Sequence, residues 1–222
     1  MARARTPLNR DRVLQAAVRL ADENGIESLS MRKLARKLGV EAMSLYNHVE
    51  SKGDLVDAMV DRVVDEIELP EEAEDWDAAI RTCAISAHEA YLRHPWACSL
   101  VIAPPATRTL RAPRLRYMDW LLGRLRGAGL SEELTYHAYH ALDGHIVGFT
   151  LWQLGHEAGA RTMADGEDIT KVMAGLIETI RADGYTHLAE HGEQHLSPPG
   201  GKGAFELGLD LILDGLKRAL ND

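Results

Sequence analysis

Ser30-Met-Arg-Lys-Leu-Ala-Arg-Lys-Leu-Gly39-Val-Glu-Ala-Met-Ser-Leu-Tyr-Asn-His-Val-Glu-Ser-Lys52 holds two short helical patterns that meet at Gly39. In the first, Leu34, Ala35 and Leu38 point inward and Arg32, Lys33, Arg36 and Lys37 spread over the exposed side. In the second, Ala42, Leu45 and Val49 give a buried stripe, with small and hydrogen-bonding side chains around it. A helix-turn-helix needs this pairing, one helix docked on phosphates and the next turned to base edges. Phosphate contacts set register and give salt-dependent affinity without sequence information. Ala42 and Met43 can meet thymine methyls, and Ser44 and Asn47 can pair with base edges. Tyr46, His48 and Lys52 suit the phosphate walls of a groove, and Ser30, at the start of the first helix, joins the DNA-facing set. From charge and periodicity alone, an amphipathic hairpin with a solvated basic face is the alternative.

Outward from this stretch, nearly everything reads as helix. Asn9 can cap a helix that buries Val13, Ala17, Leu20 and Ala21 and closes at Gly25. Ser30 caps the next, with Leu29 and Leu34 at hydrophobic-staple spacing, and Gly39 suits a left-handed position past its end. Ser51 and Asp54 have capping-box-like spacing for a helix that continues through Ile67. Pro70 and the acidic run Glu71–Asp75 mark a boundary. Beyond it the patterns predict helices over 77–93, 112–126, 131–157, 169–182 and 204–220, with a short segment 96–103 ending at Pro104-Pro105. Residues 158–167 read as a mobile loop and 183–203 as irregular. No strand alternation is present. The expected fold is all-α: a three-helix DNA-binding domain in 1–50, a connecting helix in 51–70, and a helical ligand-binding and dimerisation domain in 71–222.

Composition agrees once it is divided. The net charge of −9 hides residues 1–53, with ten Lys/Arg against six Asp/Glu, and residues 54–222, with fifteen against twenty-eight. Such asymmetry points to nucleic acid at one end, and an acidic body discourages unspecific adhesion to DNA. No apolar run approaches a membrane span and no signal peptide is visible, so a cytoplasmic protein without membrane partners is expected. Cys83 and Cys98 fit that compartment as reduced, packed thiols.

The segment from Gly25 to Leu55 resembles the DNA-binding domain of TetR-family transcriptional regulators, through the Leu34-Ala35 pair, the Gly39-Val40 turn, the Leu45-Tyr-Asn-His-Val49 run and Lys52. The resemblance covers about residues 9–60, and Phe205–Leu216 looks like the last helix of a tetracycline-repressor-type ligand domain. It implies a dimeric repressor whose C-terminal domain binds a small molecule. It places a base contact at Arg32, recognition contacts at Ala42, Met43, Ser44 and Tyr46, and a phosphate contact at Lys52. Ala42 and Met43 replace the Gln-Pro of the tetracycline repressor, which implies a different operator. By the same resemblance Cys83, Ala87, Met118, Leu121, Tyr139 and Asp143 fall on pocket positions, with Trp96 nearby. Asp143 is a carboxylate amid apolar residues, so it either meets an Arg or greets a ligand.

Glycines inside long helices cost up to about 1 kcal/mol each against Ala. Gly144, Gly148 and Gly155 share one side of the 131–157 helix, and Gly208 and Gly215 lie one heptad apart on the last. With Leu209, Ile212 and Leu216 they read as a homodimer interface, close packing within the subunit being the alternative. A two-fold dimer would meet a palindromic operator. His187, His191 and His195 would share a helical face, but Gly192 and acidic neighbours argue against a helix there, so no metal site and no cofactor is expected. Three functions compete: a repressor released by a small molecule, an enzyme, and an effector-independent architectural DNA-binding protein. No Gly-rich phosphate loop, nucleophile elbow or metal motif supports the enzyme. The first predicts a cavity in the C-terminal domain, the last a packed one.

Overall fold

The computed structural model describes residues 7–71, 75–103, 105–106, 110–163, 169–196 and 203–221. Among these the chain forms eleven α-helices and no strand: α1 Arg10–Asn24, α2 Met31–Leu38, α3 Ala42–Leu45, α4 Lys52–Val64, α5 Trp76–Arg93, α6 Pro95–Val101, α7 Ala112–Gly127, α8 Glu132–Met163, α9 Ile169–Ala182, α10 Thr186–Leu196 and α11 Ala204–Ala219. Residues 72–74 of the acidic boundary, Pro104, and residues 164–167 and 197–202 of the expected irregular segments lie outside the described residues.

Polar punctuation sets the first helices. The Asn9 side chain accepts from the Arg12 amide at 2.8 Å and Ser30 Oγ from the Lys33 amide at 3.2 Å, each satisfying a donor that a first turn leaves open. Gly39 is left-handed, φ +69°, and the Gly39 and Val40 amides donate to Arg36 O and Ala35 O to close α2. At Ser51 the bonds run both ways: Ser51 Oγ accepts from the Asp54 amide at 3.0 Å, and Asp54 Oδ2 accepts from the Glu50 amide at 2.9 Å.

The expected second helix of the pair is shorter than its apolar spacing suggests. α3 covers four residues, and Tyr46–His48 tighten into turns before Val49 rejoins the core. Asn47, His48 and Val49 are poor helix formers, and Arg10 Nη1 takes the His48 carbonyl at 2.9 Å. α4 stops at Val64, and Ile67 reaches the core through a tightened last turn. The core is continuous from Val13, Leu34 and Leu45 in the head, through Leu55, Met59 and Val63 of α4, to Ile80, Leu121, Leu142 and Leu209 in the body.

Two expected irregular segments are partly helical. α8 runs on to Met163, past the expected end at residue 157; Ala158 is a strong helix former and Gly159 costs only about 1 kcal/mol. α10 fills the middle of segment 183–203. Gly184, at φ +88°, ends α9, and α10 folds back on it. Gly192 lies where the two helices touch: a Cβ there would sit 2.9 Å from Ile177 Cγ1. The residue that weakens α10 in isolation is what lets it approach α9.

Candidate functional site

The head ends in a basic and apolar tip. Arg32, Lys33 and Arg36 stand exposed on α2, whereas Lys37 lies 2.6 Å from Glu23 of α1. Leu45 and Val49 anchor α3, while Met43, Tyr46 and Asn47 project outward. Met43 is 73% exposed, more than any other large apolar side chain among the described residues, a placement that suits contact with another surface. Ala42, Ser44 and His48 are half-buried beside it, and Lys52 is exposed at the start of α4. Ser30 is half-buried, its oxygen committed to the Lys33 amide.

Behind this tip α4 carries Asp54, Asp57 and Asp61, with Asp65 capping its end, three or four residues apart and therefore along one side of the helix. Opposite them stand Arg111, Arg114 and Arg116 at the start of α7. Arg114 Nε donates to Asp61 Oδ1 at 2.6 Å and its Nη2 lies 4.0 Å from Asp57. Arg111 pairs with Asp54 and lies 3.6 Å from Asp61, and Arg116 pairs with Asp65. Asp54, Asp57, Asp61 and Arg114 are no more than 5% exposed. Burial pushes the Asp54 carboxyl up, but the Glu50 amide, Arg111 and Arg10 outweigh it and hold it below the ordinary carboxylate range. Asp54 thus bonds the residue after the α3 turn and the body of the protein at once. Arg10, which sequence reasoning passed over, adds α1: its guanidinium holds the His48 carbonyl and lies 3.7 Å from Asp54.

A second link joins head and body. Trp96, expected near a pocket, instead points its indole N–H at Asp22 of α1, donating at 2.7 Å. His94 Nδ1 lies 2.8 Å from the same oxygen, and its Nε2 lies 3.4 Å from Glu66.

In the body, α5 supplies Cys83 and Ala87, α7 supplies Met118 and Leu121, and α8 supplies Tyr139 and Asp143. Cys83, Ala87 and Leu121 are buried; Met118, Tyr139 and Asp143 are half-buried. Asp143 meets no arginine within salt-bridge distance among the described residues; the Tyr117 hydroxyl donates to it at 3.2 Å. Burial pushes its carboxyl up, opposed by the Tyr117 bond and by His140. Burial and then the Asp143 charge push the Cys83 thiol and the Tyr139 hydroxyl each up to about 12, and the same two causes raise Tyr91 and Tyr117. Cys83 and Cys98 are free and buried. A groove of about 1020 Å3 opens elsewhere, between the end of α8 and the α9–α10 hairpin, lined in part by Leu151, Trp152, His156, Ile177, His191 and His195. None of the residues predicted for the pocket lines this groove.

The glycines divide. Gly144, Gly148 and Gly155 are exposed on α8, and among the described residues nothing beyond the helix itself lies within 4 Å of a Cβ added there. Trp152 stands exposed on the same helix, and Leu207 and Leu211 are exposed on α11. Gly208 instead makes room inside the chain: a Cβ there would lie 2.5 Å from His145 Cε1, whose ring stacks on Phe205. Leu209 and Leu216, expected at the interface, are instead buried in the chain's own core. Ile212 and Gly215 are half-buried. Among the described residues no helix is long and apolar enough to cross a membrane.

Comparison with known proteins follows the same division. Residues 13–59 match the family model described as bacterial regulatory proteins, tetR family, and residues 69–220 match the tetracyclin repressor-like C-terminal domain. The HTH-type transcriptional repressor DrrR1 of Streptomyces coeruleorubidus is 36% identical over 214 residues, covering 95% of this chain and 77% of that one. The crystal structure of apo ActR from Streptomyces coelicolor superposes with a TM-score of 0.75 at 26% identity, covering 98% of this chain and 99% of ActR. ActR in complex with actinorhodin gives a TM-score of 0.74 at 26% identity, over 98% of this chain and all of ActR.

Proposed function

The chain belongs to the TetR family of bacterial transcriptional regulators, and we propose that it is a repressor that binds a palindromic operator as a homodimer and leaves it when a small molecule enters the body. Residues 1–50 form the reading head, 51–70 the connection and 71–222 the sensing and dimerising body. It has no catalytic role and meets its operator in the cytoplasm. Arg32, Ser44 and Asn47 read base edges, Ala42 and Met43 meet thymine methyls, and Lys33, Tyr46, His48 and Lys52 hold the phosphate walls. Ser30 fixes the start of α2 against them.

The observation that carries this reading is the bonding of Asp54. An effector that binds beside Asp143, against Tyr117, Tyr139, Cys83, Ala87, Met118 and Leu121, touches α5, α7 and α8. A shift of α7 moves Arg111 and Arg114, and through them α4, Asp54 and the turn after α3. The effector must bind the released arrangement more tightly than the DNA-bound one, because only differential affinity shifts an equilibrium. The complex of ActR with actinorhodin supports a small organic effector for this body as well.

Selection of DNA from random sequence tests the first half, with a palindrome as the expected product; no enrichment of palindromic DNA at low salt overturns it. Arg32→Ala should weaken binding by about 1–3 kcal/mol and relax one base pair in each half-site. Uniform weakening across sequences would make Arg32 a phosphate contact. A thermal-shift screen of small molecules, with hits tested for release of that DNA, tests the second half; an architectural protein would yield DNA binding and no releasing compound.

A further inference from the structure

His191 and His195 lie one turn apart on α10 with their Nε2 atoms 3.4 Å apart and ring centroids 4.9 Å apart. Two imidazole nitrogens on one tetrahedral zinc, each about 2.0–2.1 Å from the metal, are separated by about 3.3 Å. The pair therefore already has the spacing of one edge of a metal site, held by a helix rather than by a loop. Both rings line the mouth of the groove between α8 and the α9–α10 hairpin. Glu190 and Glu193 flank them on the same helix and lower the cost of bringing a cation there, although Glu193 also pairs with Arg181 at 2.7 Å. The facing wall carries His156. Its Nδ1 lies 2.9 Å from the Trp152 carbonyl, an acceptor to which only a protonated nitrogen can donate, so Nε2 of the neutral ring carries the lone pair. A backbone carbonyl in that role is what commonly orients a metal-binding histidine.

We propose that His191 and His195 chelate a divalent transition-metal ion, with the remaining positions open to the groove and within the compass of His156 when the hairpin closes on α8. Among the described residues no three ligating side chains converge in the present arrangement, so the ion starts on two protein nitrogens and water. Imidazole donors select copper, nickel and zinc over magnesium and calcium, which require oxygen. With His156 as a third ligand, the ion would fasten the hairpin to α8 across an otherwise apolar groove. This proposal stands independently of the repressor reading.

Calorimetric titration of the full chain, free of any affinity tag, with Zn2+, Ni2+ and Mg2+ tests it. One Zn2+ or Ni2+ per chain is expected and no Mg2+. Losing an outer-sphere partner costs a metal site about 10–100-fold in affinity, so His191→Gln and His195→Gln should each cost at least that much. His187→Gln, on the same helix but paired with Glu190 at 3.5 Å, should change nothing. Equal losses for all three variants would show diffuse histidine binding, and no binding would leave a hydrogen-bonded pair only; either overturns the site. His156→Gln should weaken binding and abolish zinc protection of the hairpin against limited proteolysis. Unchanged affinity and protection in that variant would overturn the clamp.

Discussion

Three aspartates and an arginine are buried where α4 meets α7, while Trp152, Leu207 and Leu211 stand in the open on α8 and α11. The two regions depart from the usual distribution of polarity in opposite senses, for different reasons. Ions leave water only when their partners replace it, and a buried pair is often no more stabilising than a well-packed apolar one. What Asp57, Asp61 and Arg114 supply is a single register of α4 on α7, since sliding one helix past the other would strand a charge. The apolar side chains of α8 and α11 pose the converse case: large and exposed, they are the kind of surface that a partner commonly covers. One region fixes geometry inside a subunit; for the other we propose a second copy of the chain as the partner that covers it.

The largest expected effect breaks the first half of that contrast. Arg114→Met leaves Asp61 and Asp57 buried without their guanidinium and should cost about 3–5 kcal/mol in urea unfolding. Replacing Asp61 by Leu in the same chain should recover part of the loss, because only Asp57 then lacks its guanidinium, and Asp57 still accepts from the Ala106 amide at 3.0 Å. That double variant should fold and bind DNA yet respond poorly to effector; a full response would separate the ionic seam from signalling.

The second half breaks at Leu211. This side chain is 65% exposed, so Leu211→Glu should leave the subunit folded by circular dichroism. If the face joins two copies, one charge at an apolar anchor should weaken the dimer by about 2 kcal/mol, read by sedimentation, and operator affinity should fall with it. An unchanged dimer would move the interface elsewhere.

A subtler contrast lies in two carboxylates shifted in opposite directions. Asp54 is held below its ordinary value, so its contribution is present at neutral pH and fades as pH falls through its folded value. Asp143 is raised by burial, so its ionisation opposes folding above its unfolded value, near 3.8. Asp143→Asn should therefore raise the melting temperature at pH 7 and remove its benefit below about pH 4, the range where Asp carboxyls protonate. If Asp143 meets the effector, the same variant should blunt release from DNA. Destabilisation at neutral pH would mean that the carboxylate is better satisfied than its one bond to Tyr117 implies.

The head was legible in advance because its signals are local: Asn9, Ser30, Gly39 and Ser51 each do their work within a few residues of themselves. The seam was not. Asp54, Asp57 and Asp61 look like a solvated face until Arg111 and Arg114, some fifty residues away, are brought to them. The resemblance places Trp96 beside the pocket, whereas its indole N–H donates to Asp22 of α1, a partner 74 residues away. α10 was lost to Gly192, a breaker on its own evidence and a contact once Ile177 lies against it.

Glycine gives the finest test of inside against outside. Gly148 and Gly208 both sit mid-helix in glycine stripes, and the chain alone offers no way to tell them apart. In the fold, Gly208 faces His145, a ring held by the Phe205 carbonyl at 2.9 Å, whereas among the described residues nothing beyond the helix itself lies within 4 Å of a Cβ added at Gly148. Gly208→Ala must displace that ring and should cost about 1 kcal/mol, the low end for overpacking because a side chain rather than backbone has to yield. Gly148→Ala meets no such obstacle and gains helix propensity, so the monomer should be stabilised by up to about 1 kcal/mol. Whatever Gly148→Ala loses must then appear only between subunits, as a dimer constant that worsens while unfolding of the isolated subunit improves. If both measurements improve, α8 does not approach its symmetry mate at Gly148, and the exposed face between Trp152 and Leu211 has another use.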